Sequence, residues 1–258
     1  MNTDISMEEP SDNPYVSRKN YIYGYDNVEL MNKKRLSDVI LLLFTSELPD
    51  KEKSELFEKL AVSMINPGPR HPATRASITA GVSKSGEEHL LPIGLMVLGG
   101  KSNGALEVQD AMNFILTHID DNPVELAKKL STEADNLGEG EIHIAPGFGN
   151  LFGSVDIYSK EIIAKLISSY PNSSKVIDWC VKFTEESELN NYSWLRTGLC
   201  AAIFIELDVK PREAVSLFQI LCSPGIAAHG VEQTHKPISS ISLISDDNYH
   251  YTKGELHD

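Results

Sequence analysis

The stretch NVELMNKKRLSDVILLLFTSELPDKEKSELFEKLAVSMI, residues 27–65, contains two apolar patterns separated by a proline. The first pattern places apolar residues at mixed three- and four-residue steps and stops at Pro49. The second begins at Asp50, a residue type that caps helix N-termini, and repeats its apolar residues on one helical face. The spacing therefore predicts two helices joined by a proline turn.

The same helical periodicity dominates the rest of the chain, whereas the alternation typical of strands is nearly absent. Further helical patterns cover about residues 72–83, 88–99, 105–119, 123–135, 159–169, 173–186, 194–206, 211–221 and 224–234. Together they predict an all-α fold. The polar segments 1–14 and 241–258 are expected to be mobile tails.

Composition limits the classes of partner. The chain has 258 residues, 41% of them hydrophobic, which is enough to bury a sizeable core. A formal net charge of -14 opposes nucleic acid and anionic membranes as partners. The uninterrupted apolar runs are shorter than the roughly 20 residues of a membrane helix, and no basic region followed by an apolar one opens the chain. We therefore expect a cytoplasmic protein.

The cysteines Cys180, Cys200 and Cys222 are odd in number and widely spaced. This pattern predicts reduced thiols rather than a disulfide framework, and no metal site is expected. Cys222 and His229 lie seven residues apart, close to two helical turns, so a reactive thiol–imidazole pair is conceivable. The Pro-Gly pair between them argues against it, and a structural His229 is the favoured interpretation.

Two loops combine glycine or proline with polar side chains. In NPGPRHPATR, residues 66–75, the side chains of Arg70, His71 and Arg75 predict either an anion site at a helix N-terminus or a solvated cap. In GGKSNG, residues 99–104, the polar side chains are Lys101, Ser102 and Asn103. A glycine turn before a helix leaves the first backbone N–H groups of the helix free to bind an anion or an oxyanion. The same turn also suits a helix start that binds no ligand.

Four stretches resemble, in their order and approximate spacing, the superfamily of citrate synthases, citryl-CoA lyases and the lyase half of ATP-citrate lyase. They are YIYGYDNVELMNKKRLSDVILLLFTSELP at 21–49, GGKSNGALE at 99–107, APGFGN at 145–150 and GIAAHGVEQ at 225–233. The length of the chain is closest to the short citryl-CoA lyase-like members.

The resemblance implies a helical homodimer with a large domain and a smaller inserted one. The large domain would cover residues 15–104 plus 198–240, and the small domain residues 105–197. The small domain would close over a keto acid or citrate and a coenzyme A thioester.

The resemblance also implies two catalytic histidines and an aspartate, none of which has a counterpart. Ser102, or Asn103 in a turn one residue shorter, stands at the position of the first histidine, Asn150 at that of the second and Thr197 near that of the aspartate. None of these side chains accepts a proton near neutral pH without a base beside it. The arginines that hold citrate carboxylates in the family also lack counterparts, since no arginine follows Arg212. A tricarboxylate ligand is therefore not expected.

The loop matched to the family's coenzyme A loop is retained at Pro146, Gly147, Phe148 and Gly149. In the family this loop approaches coenzyme A through its backbone, whereas by composition alone it reads as a plain turn between helices.

Two hypotheses about function remain open. One is a diverged acyl-CoA lyase or synthase in which Ser102, Asn103, Asn150 and Thr197 polarise a carbonyl, while Arg70, His71, Arg75 and Lys101 bind the acyl-CoA or keto acid. The other is a catalytically silent relative that binds coenzyme A or a partner protein and regulates. We favour the enzyme.

Overall fold

The computed structural model describes residues 3–134, 142–172, 174–242, 245–248, 252 and 254. Its helices are α1 Asn27–Lys33, α2 Leu36–Thr45, α3 Lys51–Met64, α4 Pro72–Val82, α5 Glu87–Leu98, α6 Ala105–His118, α7 Pro123–Ala134, α8 Ile157–Ser169, α9 Lys175–Ser187, α10 Arg196–Glu206 and α11 Pro211–Thr234. Its strands are β1 Ser6–Pro10, β2 Ser17–Ile22, β3 Tyr25–Asp26, β4 Ile142–Ala145, β5 Phe148–Asn150 and β6 Ser193–Trp194. With 63% of the described residues helical and only small sheets among them, the predicted all-α fold is confirmed.

The first predicted helix is two helices, because its chain leaves the helical conformation between α1 and α2. Asp26 caps α1 by accepting the Val28 N–H at 2.8 Å. Asp38 marks the start of α2 by accepting the N–H of Arg35 at 3.1 Å. Asp50 caps α3 as predicted. Local capping therefore sets where α1, α2 and α3 begin, and the apolar periodicity alone does not define these positions.

The prediction of a break near Pro224 is wrong, since α11 continues through it. Proline has no N–H for the carbonyl of Ile220, and the hydroxyl of Ser223 donates to that carbonyl at 2.8 Å instead. The N–H of Gly225 leaves the helical ladder and donates to Ile65 O at 2.9 Å. The interruption is thus satisfied locally and by the end of α3, so the helix does not need to end.

Glycines bring α4, α5 and α11 into close contact. A Cβ built at Gly81 on α4 would lie 2.2 Å from Gly230 O on α11, and one built at Gly94 on α5 would lie 2.3 Å from the Ile226 side chain. Within the described residues, α11 is also the one helix whose length and apolar composition would allow it to cross a membrane. Its packing against α4, α5 and α6 accounts for that composition as part of the core.

A second part of the core is aromatic and surrounds a small sheet. The antiparallel strands β4, β5 and β6 pair in that order. Phe148 of β5 packs against Phe183 of α9 and Trp194 of β6, with ring centroids 5.0 and 5.4 Å apart. This cluster fixes the position of the 146–150 loop relative to α9 and β6.

The strands β1, β2 and β3 form a second antiparallel sheet that the periodicity did not predict. β1 lies within residues 1–14, the segment expected to be a mobile tail. Its short and mostly exposed strands carry little apolar alternation, so the signal for them is weak. The division into two domains stays a prediction.

We expect Gly81→Ala to destabilise the protein by about 2–4 kcal/mol, because the new methyl group would overlap a backbone carbonyl that a side-chain rotation cannot move. Urea unfolding followed by circular dichroism would measure the change. Gly99→Ala is the matched control, since the nearest atoms to its Cβ lie at 3.4 Å, and its effect should stay within about 1 kcal/mol. Equal stability of the two variants would contradict the close contact between α4 and α11.

Candidate functional site

Glu107, the third residue of α6, is a carboxylate that is 3% exposed. Its Oε2 accepts the N–H of Asn103 at 2.7 Å, and its Oε1 accepts the N–H of Gly147 at 3.2 Å and bonds Nδ1 of His143. An ionised carboxylate has acceptor positions for all three donors, which offsets the cost of removing it from water. One side chain therefore joins the 99–104 turn, β4 and the 146–150 loop.

The turn before α6 is folded tightly on itself. The N–H of Leu106 donates to Gly100 O at 3.2 Å, and a Cβ at Gly104 would lie 2.3 Å from the same oxygen. Asn103 has a φ of 52°, in the left-handed region that asparagine tolerates better than most residues. The backbone N–H groups of Leu106 and Asn103 are therefore already hydrogen-bonded within the protein, and that of Asn103 donates to the Glu107 carboxylate. Neither N–H group is available to an external anion.

His71 connects this turn to the start of α4. Its Nδ1 accepts the N–H of Ala73 at 3.2 Å, and its Nε2 donates to Asn103 O at 3.0 Å. Because a backbone N–H only donates and a carbonyl only accepts, these contacts fit a neutral imidazole with its proton on Nε2. They give His71 a structural role as a helix cap. Its predicted role in substrate binding stays a prediction.

The other predicted binding residues are exposed around this contact. Arg70 and Arg75 flank His71, and Lys101 and Ser102 precede Asn103 in the turn. In the part of the chain that the structure describes, Arg70, Arg75 and Lys101 form no ion pair. Their charges are therefore available to an anionic ligand, and their role in binding one stays a prediction.

The predicted coenzyme A loop is packed against the start of α10. Gly147 has a φ of 79°, and a Cβ there would lie 2.4 Å from the Cα of Gly198. The N–H of Leu195 donates to Gly147 O at 3.0 Å. Phe148 is buried in the aromatic core, Gly149 is buried in β5, and Pro146 is half-buried. Packing alone requires Gly147 and Phe148, so the coenzyme A role of the loop is still a prediction.

Asn150 and Thr197 are both buried, but their polar groups differ in partners. Asn150 Oδ1 accepts the N–H of Gly153 at 3.2 Å, which closes a local turn. The hydroxyl of Thr197, beside Gly198, has no hydrogen-bond partner among the described residues, an uncommon state for a buried oxygen. The network around Glu107 therefore brings together His71, Asn103 and Gly147, whereas the Asn150 amide bonds locally.

Arg196, the first residue of α10, was not predicted as a site residue. Its guanidinium lies over the Tyr158 ring, 5.2 Å from the centroid, and its Nη1 reaches Asn66 O at 3.5 Å. Tyr158 also lines a groove of about 510 Å³ between α3 and α8, in which Lys59 and Lys165 are the basic side chains. This groove does not include the 99–104 turn or the 146–149 loop, so it is distinct from the predicted site.

The sequence reasoning also missed Glu107 and His143. A glutamate at the third position of a helix is a recognised N-terminal signal, and Glu107 stands within the quoted GGKSNGALE motif. His143 precedes the glycine loop by only a few residues, but no spacing rule connects it to Glu107, which is 36 residues away. Only the fold brings the two side chains together.

The cysteines are unsuited to nucleophilic roles. All three are buried, and burial raises the pKa of the Cys222 thiol to about 12 and also raises the pKa of Cys180 and of Cys200. Because α11 is continuous, Cys222 and His229 are separated by about 10 Å along the helix axis. The thiol–imidazole pair is therefore excluded by distance as well as by the protonation state of the thiol.

We expect Glu107→Gln to destabilise the protein by about 2–4 kcal/mol. The glutamine amide has only one acceptor oxygen. Its NH₂ group would therefore face the backbone N–H of either Asn103 or Gly147, and a backbone N–H cannot rotate away. Urea unfolding would measure the loss. Glu206→Gln is the matched control, because Glu206 accepts from the hydroxyls of Tyr170 and Ser174, and hydroxyls can rotate to suit an amide. A loss at Glu206 equal to that at Glu107 would contradict this account.

No protein-family model and no curated protein matches the sequence. Among solved structures, citryl-CoA lyase from Hydrogenobacter thermophilus is similar at 21% identity and a TM-score of 0.79, over 100% of this chain and 96% of that one. ATP citrate lyase from Methanosaeta concilii, in complex with (3S)-citryl-CoA, is similar at 18% identity and a TM-score of 0.71, over 96% of this chain and 42% of that one.

Citrate synthase from Thermoplasma acidophilum, in a ternary complex with carboxymethyl coenzyme A and oxaloacetate, gives 15% identity and a TM-score of 0.64, over 97% of this chain and 60% of that one. At these identities the likeness shows the fold alone. It agrees with the helical architecture. The chain has the fold of the citrate synthase and citryl-CoA lyase superfamily.

Proposed function

We propose that the protein binds a coenzyme A thioester and forms or cleaves a carbon–carbon bond of its acyl group, in a reaction other than standard citrate chemistry. The observation that carries the proposal is the carboxylate of Glu107, which holds together the 99–104 turn and the 146–150 loop. The sequence resemblance matches the first to the turn that carries the superfamily's first catalytic histidine, and the second to its coenzyme A loop. Two structures of similar fold contain citryl-CoA, or citrate and coenzyme A.

The catalytically silent alternative also has a specific observation in its favour. Ser102 is exposed, Asn150 is engaged in a local turn, and Thr197 is buried with no hydrogen-bond partner in the part of the chain that the structure describes. None of the three accepts a proton at neutral pH. A protein with these residues and no other base would bind a thioester without enolising it, and would act by regulating another protein.

We also propose a cytoplasmic homodimer. α5, which packs against α4 and α11, exposes Met96, 82% accessible, and Val97. α11 exposes Val231 on the same set of packed helices. Apolar side chains on neighbouring helices suit a two-fold contact between copies.

We expect isothermal titration to detect binding of coenzyme A or acetyl-CoA, and to detect none of citrate. The first expectation rests on the retained glycine loop and on the exposed Arg70, Arg75 and Lys101, which suit phosphates. The second rests on the absence of arginine after Arg212 and in the loop after Asn150, since carboxylates are held best by paired guanidinium forks. Citrate binding without coenzyme A binding would contradict both expectations.

We expect no detectable citrate synthesis from acetyl-CoA and oxaloacetate, and no cleavage of citryl-CoA. Even if a base were present, no arginine would orient the carboxylates of oxaloacetate or of citryl-CoA. Loss of this positioning alone lowers reaction rates by several orders of magnitude. Release of coenzyme A and mass spectrometry of the products would check this, with an active citrate synthase as the positive control. Robust turnover in either direction would show that the matched positions are assigned wrongly.

A further inference from the structure

We propose that the groove between α3 and α8 is a second ligand site, which binds a single-chain fatty acid. Lysine side chains would hold the carboxylate, and the hydrocarbon chain would lie along the apolar floor of the groove. The site is separate from the 99–104 turn and from the 146–149 loop. The proposal therefore goes beyond the function proposed above and does not depend on it.

The floor of the groove is one face of α8. Tyr158, Ile162, Leu166 and Ser169 line it, and their spacing of three or four residues places them on the same side of the helix. Leu166 is buried and Ile162 is half-buried, and both pack into the hydrophobic core. The strip from Tyr158 to Ser169 is about 16 Å long. It is therefore an extended apolar surface, which suits an extended chain of methylene groups.

The volume of the groove, about 510 Å³, is within the range of small-molecule sites. Its serines add little polarity, because the hydroxyls of Ser63, Ser168 and Ser169 donate to carbonyls of their own helices at 2.8, 3.0 and 3.0 Å. A peptide backbone bound here would need donors for its carbonyls, and these hydroxyls already use their protons. A hydrocarbon chain has no such requirement, which favours a fatty acid over a peptide.

The charged side chains of the groove favour an anionic head group. Lys59 of α3 and Lys165 of α8 line it together with Glu161, so the groove is positive overall. Both lysines are exposed, and among the described residues neither forms an ion pair. The Arg196 guanidinium adds positive charge over the Tyr158 ring. In a chain of formal net charge -14, unpaired lysines beside an apolar strip match a ligand with an anionic head and an apolar tail.

A second groove, of about 430 Å³ beside β3 and α1, has a different arrangement of charge. Two of its three lysines are paired with carboxylates, Lys19 with Asp26 at 3.2 Å and Lys33 with Glu29 at 3.3 Å. An anion there would compete with the protein's own carboxylates. The α3–α8 groove combines lysines outside ion pairs with an apolar floor, and this combination carries the assignment.

The experiment is isothermal titration with dodecanoate below its micelle concentration. Acetate tests the head group without the chain, and dodecyltrimethylammonium tests the same chain with the opposite charge. The main variant is the double substitution Lys59→Gln and Lys165→Gln. In a second variant, Ser63→Phe, an aromatic ring fills the groove from α3. Circular dichroism checks that each variant is folded.

The matched control is the double substitution Lys128→Gln and Lys129→Gln on α7. It removes the same charge from an exposed surface whose neighbouring side chains are polar. A general loss of attraction for anions would appear equally in both double variants, whereas a site in the groove would be affected by the first alone.

We expect dodecanoate to bind the wild-type protein, and acetate and dodecyltrimethylammonium not to bind. Affinity for dodecanoate should fall about 10-fold in the Lys59/Lys165 variant. It should be lost in Ser63→Phe and unchanged in the Lys128/Lys129 control. Saturation with coenzyme A should leave it unchanged, because the groove lies apart from the glycine loop.

Failure of dodecanoate to bind the wild-type protein would overturn the proposal, and so would equal binding of dodecyltrimethylammonium. Displacement of dodecanoate by coenzyme A would place the chain at the glycine loop instead of the groove. A change of oligomeric state in Ser63→Phe, measured by light scattering, would assign the groove to a contact between copies of the chain. Either result would also overturn the proposal.

Discussion

A carboxylate buried at the start of α6 is the constraint on which the candidate site depends. A charge in that position destabilises the folded state unless donors replace its water, and the donors of Glu107 come from three different segments. The turn, β4 and the glycine loop must therefore all be in place at once. The same requirement explains why Asn103 accepts a left-handed conformation, since its N–H is held by Glu107 and its carbonyl by His71.

Close backbone contacts complement this polar constraint. Gly81 and Gly230 bring α4 against α11, and Gly147 and Gly198 bring the glycine loop against α10. In both places a side chain would occupy the space of a backbone atom. The helices that support the site are therefore held by close backbone packing, and the loops are held by hydrogen bonds to the Glu107 carboxylate. Together these contacts limit how far the 99–104 turn and the 146–150 loop can shift relative to each other.

These constraints change how the missing family residues are understood. Ser102, Asn150 and Thr197 are neutral side chains at the positions that the sequence resemblance matches to the superfamily's acid and base groups, and this prediction by itself favours a silent protein. The Glu107–His143 contact lies at the same loop, with His143 paired to Gly149. The two hypotheses differ in the capacity to move a proton from carbon; the enzyme requires coenzyme A thioester binding, whereas the silent protein would bind coenzyme A or a partner protein.

The sequence by itself determined most of the helices, because apolar period, capping residues and prolines act over a few neighbouring positions. α3 to α10 lie within about two residues of the patterns, and the superfamily fold followed from four short motifs in register. Only the tertiary structure decided the rest. Pro224 does not end α11, because Ser223 and Ile65 satisfy the interrupted bonds. The contact of Glu107 with His143 joins residues far apart in the chain, and no local pattern encodes which distant donors a buried charge will find.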